Sequence, residues 1–119
     1  MNCPITKEQP KKKPKYNNKK VCIDGIWFVS QKEGDRYKEL KLMVRAKEIK
    51  DLRLQVVFEL QPSFIINKKT IRAIKYVADF TYYENDKLVV EDTKGMRTEV
   101  YKLKAKMFAY KYGMEIKEI

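Results

Sequence analysis

Along residues 21–119 the rhythm of apolar and polar positions changes several times, and each change marks an element. "VCIDGIWFV" at 21–29 sets Asp24-Gly25 between two short apolar runs, the pattern of a small hairpin. Ser30-x-x-Glu33 then reads as a capping box. Tyr37, Leu40, Val44 and, roughly, Lys47 follow at helical spacing, with Leu42, Met43 and Ile49 widening the apolar face. A helix over 31–48 is expected. "LRLQVVFELQPSFIIN" is rich in β-branched and aromatic residues and reads as one long strand, or two bent at Pro62. "NKK" at 67–69 turns the chain, a strand covers 72–83, "ENDK" turns it again and a strand covers 88–94. Gly95 ends that strand. Thr98 is a fitting N-cap and Gly113 a fitting C-cap for a second helix, whose apolar stripe is read as Val100, Leu103, Met107 and Tyr110. "MEIKEI" alternates and closes the chain as a strand. The order is hairpin, helix, three strands, helix, strand. It predicts an α/β fold with a mixed sheet flanked by helices, in which Trp27, Phe28, Phe58, Phe64 and Phe80 belong to the core.

At 119 residues and 44% hydrophobic, this is one domain with one real core. The first 20 residues stand apart. They carry prolines at 4, 10 and 14 and seven lysines against Glu8 alone, so they hold +6 of a formal net charge of +11. They read as a disordered basic arm, either an electrostatic grip on phosphate through Lys11, Lys12 and Lys13 or a solubilising tail. The remaining 21–119 is still basic. A polyanion, nucleic acid first, is the expected partner. No apolar segment approaches the length that spans a membrane, and the N-terminus lacks the apolar stretch of a signal peptide. Cys3 and Cys22 read as free thiols of a reducing cytoplasm.

The chain has no histidine. That excludes histidine-dependent nucleases, catalytic triads and zinc sites with imidazole ligands, and two cysteines cannot build a four-cysteine zinc site. Any metal is therefore hard and oxygen-bound, so Mg²⁺ or Mn²⁺ is expected.

Three residues are odd for their strands. Asp79 follows Tyr76-Val77-Ala78, and Asp92 and Lys94 follow Leu88-Val89-Val90. Strand residues two apart share a face, so Asp92 and Lys94 point one way and Glu91 and Thr93 the other. Asp79 lies five residues before Glu84 and Asp92 five after Lys87, so a hairpin at "ENDK" sets the two aspartates roughly opposite. Two carboxylates so placed repel unless a cation lies between them. A divalent ion with a neighbouring ammonium is the set that metal-assisted phosphodiester hydrolysis uses.

The pattern "A-D79 … E-D92-T-K94" resembles the PD-(D/E)XK motif of restriction-endonuclease-like nucleases, and the element order resembles the core of that fold. More closely, "ADF-x-Y … VVEDTKG-x-x-T-x-x-Y-x-x-K" is similar to a family of small phage and prophage proteins usually described as of unknown function. The likeness covers about 22–119. It implies metal-dependent cleavage of DNA, in the company of Holliday-junction resolvases, transposon end-cleaving subunits and phage recombination nucleases. Asp79 and Asp92 would be metal ligands with the Thr93 main-chain carbonyl, and Lys94 the catalytic lysine. Glu33 matches the first-helix glutamate that completes the site in transposase-like members. Ala78 stands where the motif's name has proline.

Several readings stay open at this level. Glu91 could replace Asp92, although alternation with Lys94 favours Asp92. Glu33 is either a helix cap or a site residue, since Glu33, Tyr37, Leu40 and Val44 share one stripe. Tyr101 and Lys104 follow the family-like spacing, and with Arg97 and Lys102 they are candidates to line the site or contact phosphate. Lys102 and Lys106 also read as a solvated basic face. Gln61 is a candidate to position water. The leading expectation is a phage-type DNA endonuclease acting on branched or structured DNA in the host cytoplasm, working as a dimer and beside phage replication or recombination proteins. The alternative is a non-catalytic, basic nucleic-acid-binding accessory protein on the same fold.

Overall fold

The computed structural model describes residues 20–93 and 97–119. The arm with Lys11, Lys12 and Lys13, and the Lys94 position, lie outside the described residues. The elements are β1 (Val21–Ile23), β2 (Ile26–Phe28), α1 (Gln31–Arg45), β3 (Lys50–Gln61), β4 (Phe64–Ile66), β5 (Lys69–Ile71), β6 (Ile74–Glu84), β7 (Lys87–Asp92), α2 (Glu99–Tyr112) and β8 (Lys117–Glu118). The central sheet runs β3-β6-β7-β8. Its first two pairings are antiparallel and β7–β8 is parallel, with α2 as the crossover. The molecule is thus mixed α/β. Among the described residues no helix is long and apolar enough to cross a membrane.

Local chemistry accounts for the boundaries. Asp24-Gly25 and Asn85-Asp86 all have positive φ, which suits two-residue hairpin turns. The Ser30 hydroxyl accepts from the Glu33 N–H at the start of α1. Thr98 caps α2 in the same way through the Tyr101 N–H, and Gly113 ends it at φ 67. Gly34 is where α1 meets the first hairpin. A Cβ there would lie 2.7 Å from Val21 Cγ2 and 2.9 Å from Ile23 Cδ1.

The two helices lie on opposite faces of the sheet. Val89 packs with Phe28, Tyr37, Leu40, Phe80 and Tyr82 around α1, whereas Val90 packs with Tyr76, Ala78, Tyr101 and Phe108 around α2. Neighbouring residues of one strand face opposite ways. Strands β3 and β6 change sides along their length. Leu52, Leu54, Phe80 and Tyr82 serve the α1 core, while Phe58, Leu60, Tyr76 and Ala78 serve the α2 core. The change falls at Gln55, a non-glycine strand residue at φ 52 that lies between the pairs Leu54↔Phe80 and Val56↔Ala78, level with Asp79. A left-handed residue inside a strand turns its successors and bends the ladder.

Pro62 divides β3 from β4, so of the two readings the one with two strands holds. It ends the first strand, and the chain inserts a separate β4–β5 hairpin turning at Asn67-Lys68 before β6 begins. Several expectations are corrected. Helix α1 stops at Arg45, so Lys47 lies beyond it, and Leu42 is exposed. Trp27 and Phe64, expected in the core, are 45% and 43% exposed. On α2 the expected stripe is off by one position: Val100, Leu103 and Tyr110 are exposed, and Tyr101 and Phe108 are buried. The reason is aromatic packing. The Phe108 ring lies 5.0–5.6 Å from those of Phe58, Tyr76 and Tyr112, and burying these rings outweighs burying one valine and one leucine. Finally, Cys22 is disulfide-bonded and no described cysteine is free. The reading of Cys22 as a free thiol is thereby corrected.

Phe108→Ala is expected to cost about 3–5 kcal/mol by urea unfolding, and Leu103→Ala no more than about 0.5 kcal/mol. A reversed ranking would restore the stripe read from spacing.

Candidate functional site

The β6–β7 pair brings the site residues to one place. Its register runs Glu84↔Lys87 through Phe80↔Glu91, and one further step sets Asp79 level with Asp92. Level residues of an antiparallel pair share a face. The Tyr76 hydroxyl is hydrogen-bonded to one of the two carboxylates. It donates to Asp92 Oδ2 at 2.6 Å. Its pKa is pushed far up, first by burial, then by the bond to Asp92, with the charges of Asp92 and Asp79 both contributing.

Each carboxylate is held in place. Asp79 Oδ2 accepts from both the Thr93 N–H (2.9 Å) and the Thr93 hydroxyl (2.8 Å), which leaves Oδ1 as the oxygen for a cation. Asp92 has no exposed surface. A carboxylate so buried persists only where it is paired or coordinated. Tyr101 sits beside it. Its hydroxyl pKa is also raised, by burial first, then by a bond to Glu118, and then by the Asp92 charge.

Adjacent Glu91 faces the other side of the sheet. Arg36 of α1 grips it twice, Nε to Oε1 at 2.8 Å and Nη2 to Oε2 at 2.6 Å. The Tyr82 hydroxyl donates to the same Oε2. The double bond to Glu91 raises the Arg36 pKa despite burial, and Tyr82 is raised by its own burial and by Glu91. Both oxygens of Glu91 are thus taken up on the α1 side. Asp92, not Glu91, shares the face of Asp79.

Glu33 is 3% exposed at the first turn of α1 and accepts from Gln55 Nε2 at 3.2 Å. This bond ties the start of α1 to the kink of β3 beside Asp79. Gln55 was not singled out from the sequence; the signal was a polar residue amid an apolar strand, and nothing local gave its positive φ. Gln61 is corrected. It pairs with Ile74, five residues before Asp79 and so about 17 Å along β6, too far to position a water at Asp79.

The basic candidates lie on the α2 side. A groove of about 640 Å³ between α2 and β8 is lined by Arg97, Tyr101, Lys102, Lys106 and Glu118 among others, and half-buried Lys104 is not part of its wall. Arg97 bonds Glu118 at 3.2 Å and Lys102 bonds Glu99 at 3.3 Å. The groove reaches the site through Tyr101, and β8 pairs with β7 at Asp92↔Glu118.

Among the described residues no group of three or more acidic or cysteine side chains could hold a metal ion. The donor set still fits Mg²⁺, which protein sites bind through one or two carboxylates plus substrate phosphate and water. Asp79, Asp92 and the Thr93 carbonyl are the groups that would hold it.

Two predictions follow from these bonds. Arg36→Met leaves Glu91 buried without its cation and is expected to cost about 3–5 kcal/mol in urea unfolding, most of it recovered by Arg36→Met with Glu91→Leu. Tyr76, Tyr82 and Tyr101 titrate higher folded than unfolded. Their contribution is complete below about pH 10 and is lost above it, because only the unfolded chain sheds those protons. Each tyrosine adds about 1.4 kcal/mol per pH unit to the fall. Urea midpoints between pH 9 and 11 should drop for wild type, and one tyrosine's share less steeply for Tyr76→Phe.

No curated protein and no solved structure matches the chain. A family model does match, over residues 13–118. The chain accordingly belongs to the family described as protein of unknown function (DUF1064).

Proposed function

We propose that the chain is a divalent-metal-dependent DNA endonuclease with a restriction-endonuclease-like core, cutting branched or structured DNA in phage recombination or replication. The observation that carries this reading is the β6–β7 register, which runs to Phe80↔Glu91 and so leads to Asp79 and Asp92, each held by hydrogen bonds. The order α1, β3, β6, β7, α2, β8, with β8 parallel to β7, supports it. So does the formal charge of +11, which favours a polyanionic partner.

The roles follow from the contacts. Thr93 fixes Asp79 through Oδ2, and Tyr76 fixes Asp92 through Oδ2, so both carboxylates are pre-positioned as ligands. A bound Mg²⁺ or Mn²⁺ would supply charge stabilisation at the scissile phosphate and a more acidic water. Lys94, two residues past Asp92, is assigned the orientation of that water or the neutralisation of transition-state charge. Glu33, which Gln55 holds at the start of α1, is assigned the part of the third acid. Arg97 and Lys102 on the α2 side draw the DNA backbone in. Resolving a four-way junction takes two cuts, hence a dimer.

The alternative, a non-catalytic accessory protein on the same fold, is favoured by one observation: the described acids do not converge in threes. A cleavage assay separates the two. Plasmid, linear duplex, flap and four-way-junction DNA are offered with Mg²⁺ or Mn²⁺. Cutting is expected, abolished by EDTA and reduced about 100-fold or more by Asp92→Asn. Binding of wild type to all four without cutting, with either metal, would sink the nuclease in favour of the accessory protein.

A further inference from the structure

Between β3 and β6 the chain leaves the body of the molecule. Every residue from 62 to 72 is exposed, and β4 and β5 form a two-stranded sheet of their own. Ile65 is 74% exposed, Ile66 53%, Phe64 43% and Ile71 37%. Four large apolar side chains on one short hairpin are not an isolated surface leucine or two; such a patch marks an interaction site. The pairs Phe64↔Ile71 and Ile66↔Lys69 share one face, and Ile65 stands with Thr70 on the other. The hairpin is also purely basic. Lys68 sits in its turn, Lys69 and Arg72 follow, and no acid occurs from Gln61 to Ala78.

Apolar residues and cations together choose the occupant. A second copy docked hairpin to hairpin would bring the same three cations of each copy together with no acid between them. A nucleic acid accepts both parts, since phosphates take the cations and a base step takes an apolar wedge of isoleucine or phenylalanine. We propose that the β4–β5 hairpin is a DNA wedge, in which Phe64 and Ile66, on one face, enter an unstacked base step while Lys68, Lys69 and Arg72 hold the flanking phosphates. This rests on the reading of DNA as the partner and says how a branch is recognised. Unstacking an intact duplex step costs a few kcal/mol. A branch point offers steps already opened, so a wedge favours junctions over linear duplex. The hairpin leaves the sheet at Ile74, five residues from Asp79, about 17 Å. That spans roughly five base pairs of duplex, so wedge and cutting site can engage one DNA molecule.

The test uses the full chain with Ca²⁺ in place of Mg²⁺, so that DNA is bound without being cut. A four-way junction and a linear duplex carry 2-aminopurine at the branch and at the equivalent step. Wild type should raise the junction's fluorescence as the base unstacks. Phe64→Ser with Ile66→Ser should abolish the rise and weaken junction binding about tenfold, with linear-duplex binding unchanged. Lys69→Ala should weaken both and keep the rise. The exposed positions leave the fold intact, checked by circular dichroism and melting. If the serine variant keeps both the rise and the affinity while wild type cuts DNA, the wedge is wrong and the nuclease stands. If the variant instead turns a wild-type dimer into a monomer by sedimentation, the occupant is a second copy and the wedge is overturned. If wild type binds neither DNA, the wedge and the nuclease fall together.

Discussion

The bidentate pair between Arg36 and Glu91 is the interaction on which the geometry of the site depends. Glu91 has no exposed surface, and its charge is tolerable only because a guanidinium and the Tyr82 hydroxyl saturate both oxygens. The pair fixes α1 against β7. It also fixes which face of β7 is which. With Glu91 committed to the α1 side, alternation leaves Asp92 no choice but the α2 side, beside Tyr76 and Tyr101. Slipping the strand by one residue would exchange the two acids and leave one charge among aromatic rings.

The site then grows from hydrogen bonds that each hold a rotamer. Thr93 answers Asp79 and Tyr76 answers Asp92. Gln55 reaches from the kink of β3 to Glu33. The positive φ of Gln55 is a strained conformation for a residue with a side chain, of order 1–2 kcal/mol. It sits where β3 and β6 change sides, so one residue both passes the sheet from one core to the other and brings a side-chain amide to Glu33.

The surface is unusual for so small a domain. Apolar residues that spacing assigns to the core stand outside it: Val100, Leu103 and Tyr110 on α2, and the β4–β5 hairpin. The interior is already filled by aromatic rings, with Phe108, Tyr76, Phe58 and Tyr112 on one side and Phe28, Tyr37 and Phe80 on the other. What the core has no room for is left exposed, against a basic background.

The sequence by itself determined most of the elements. Asp24-Gly25, Asn85-Asp86, Ser30, Thr98 and Gly113 carry their turns and caps in their own side chains or backbone preferences, so they were legible locally. The level setting of Asp79 and Asp92 was legible too, because a tight two-residue turn dictates the register of the strands that leave it. The tertiary structure alone decided the rest. The rotation of α2 depends on which rings meet across space, and period counting weighs a valine like a tyrosine. The fate of Glu91 depends on Arg36, 55 residues away. Gln55 reaches Glu33 from a positive-φ position in β3 that is invisible in the pattern. Whether a residue is buried, paired or strained is a property of its distant neighbours, and those neighbours exist only once the chain has folded.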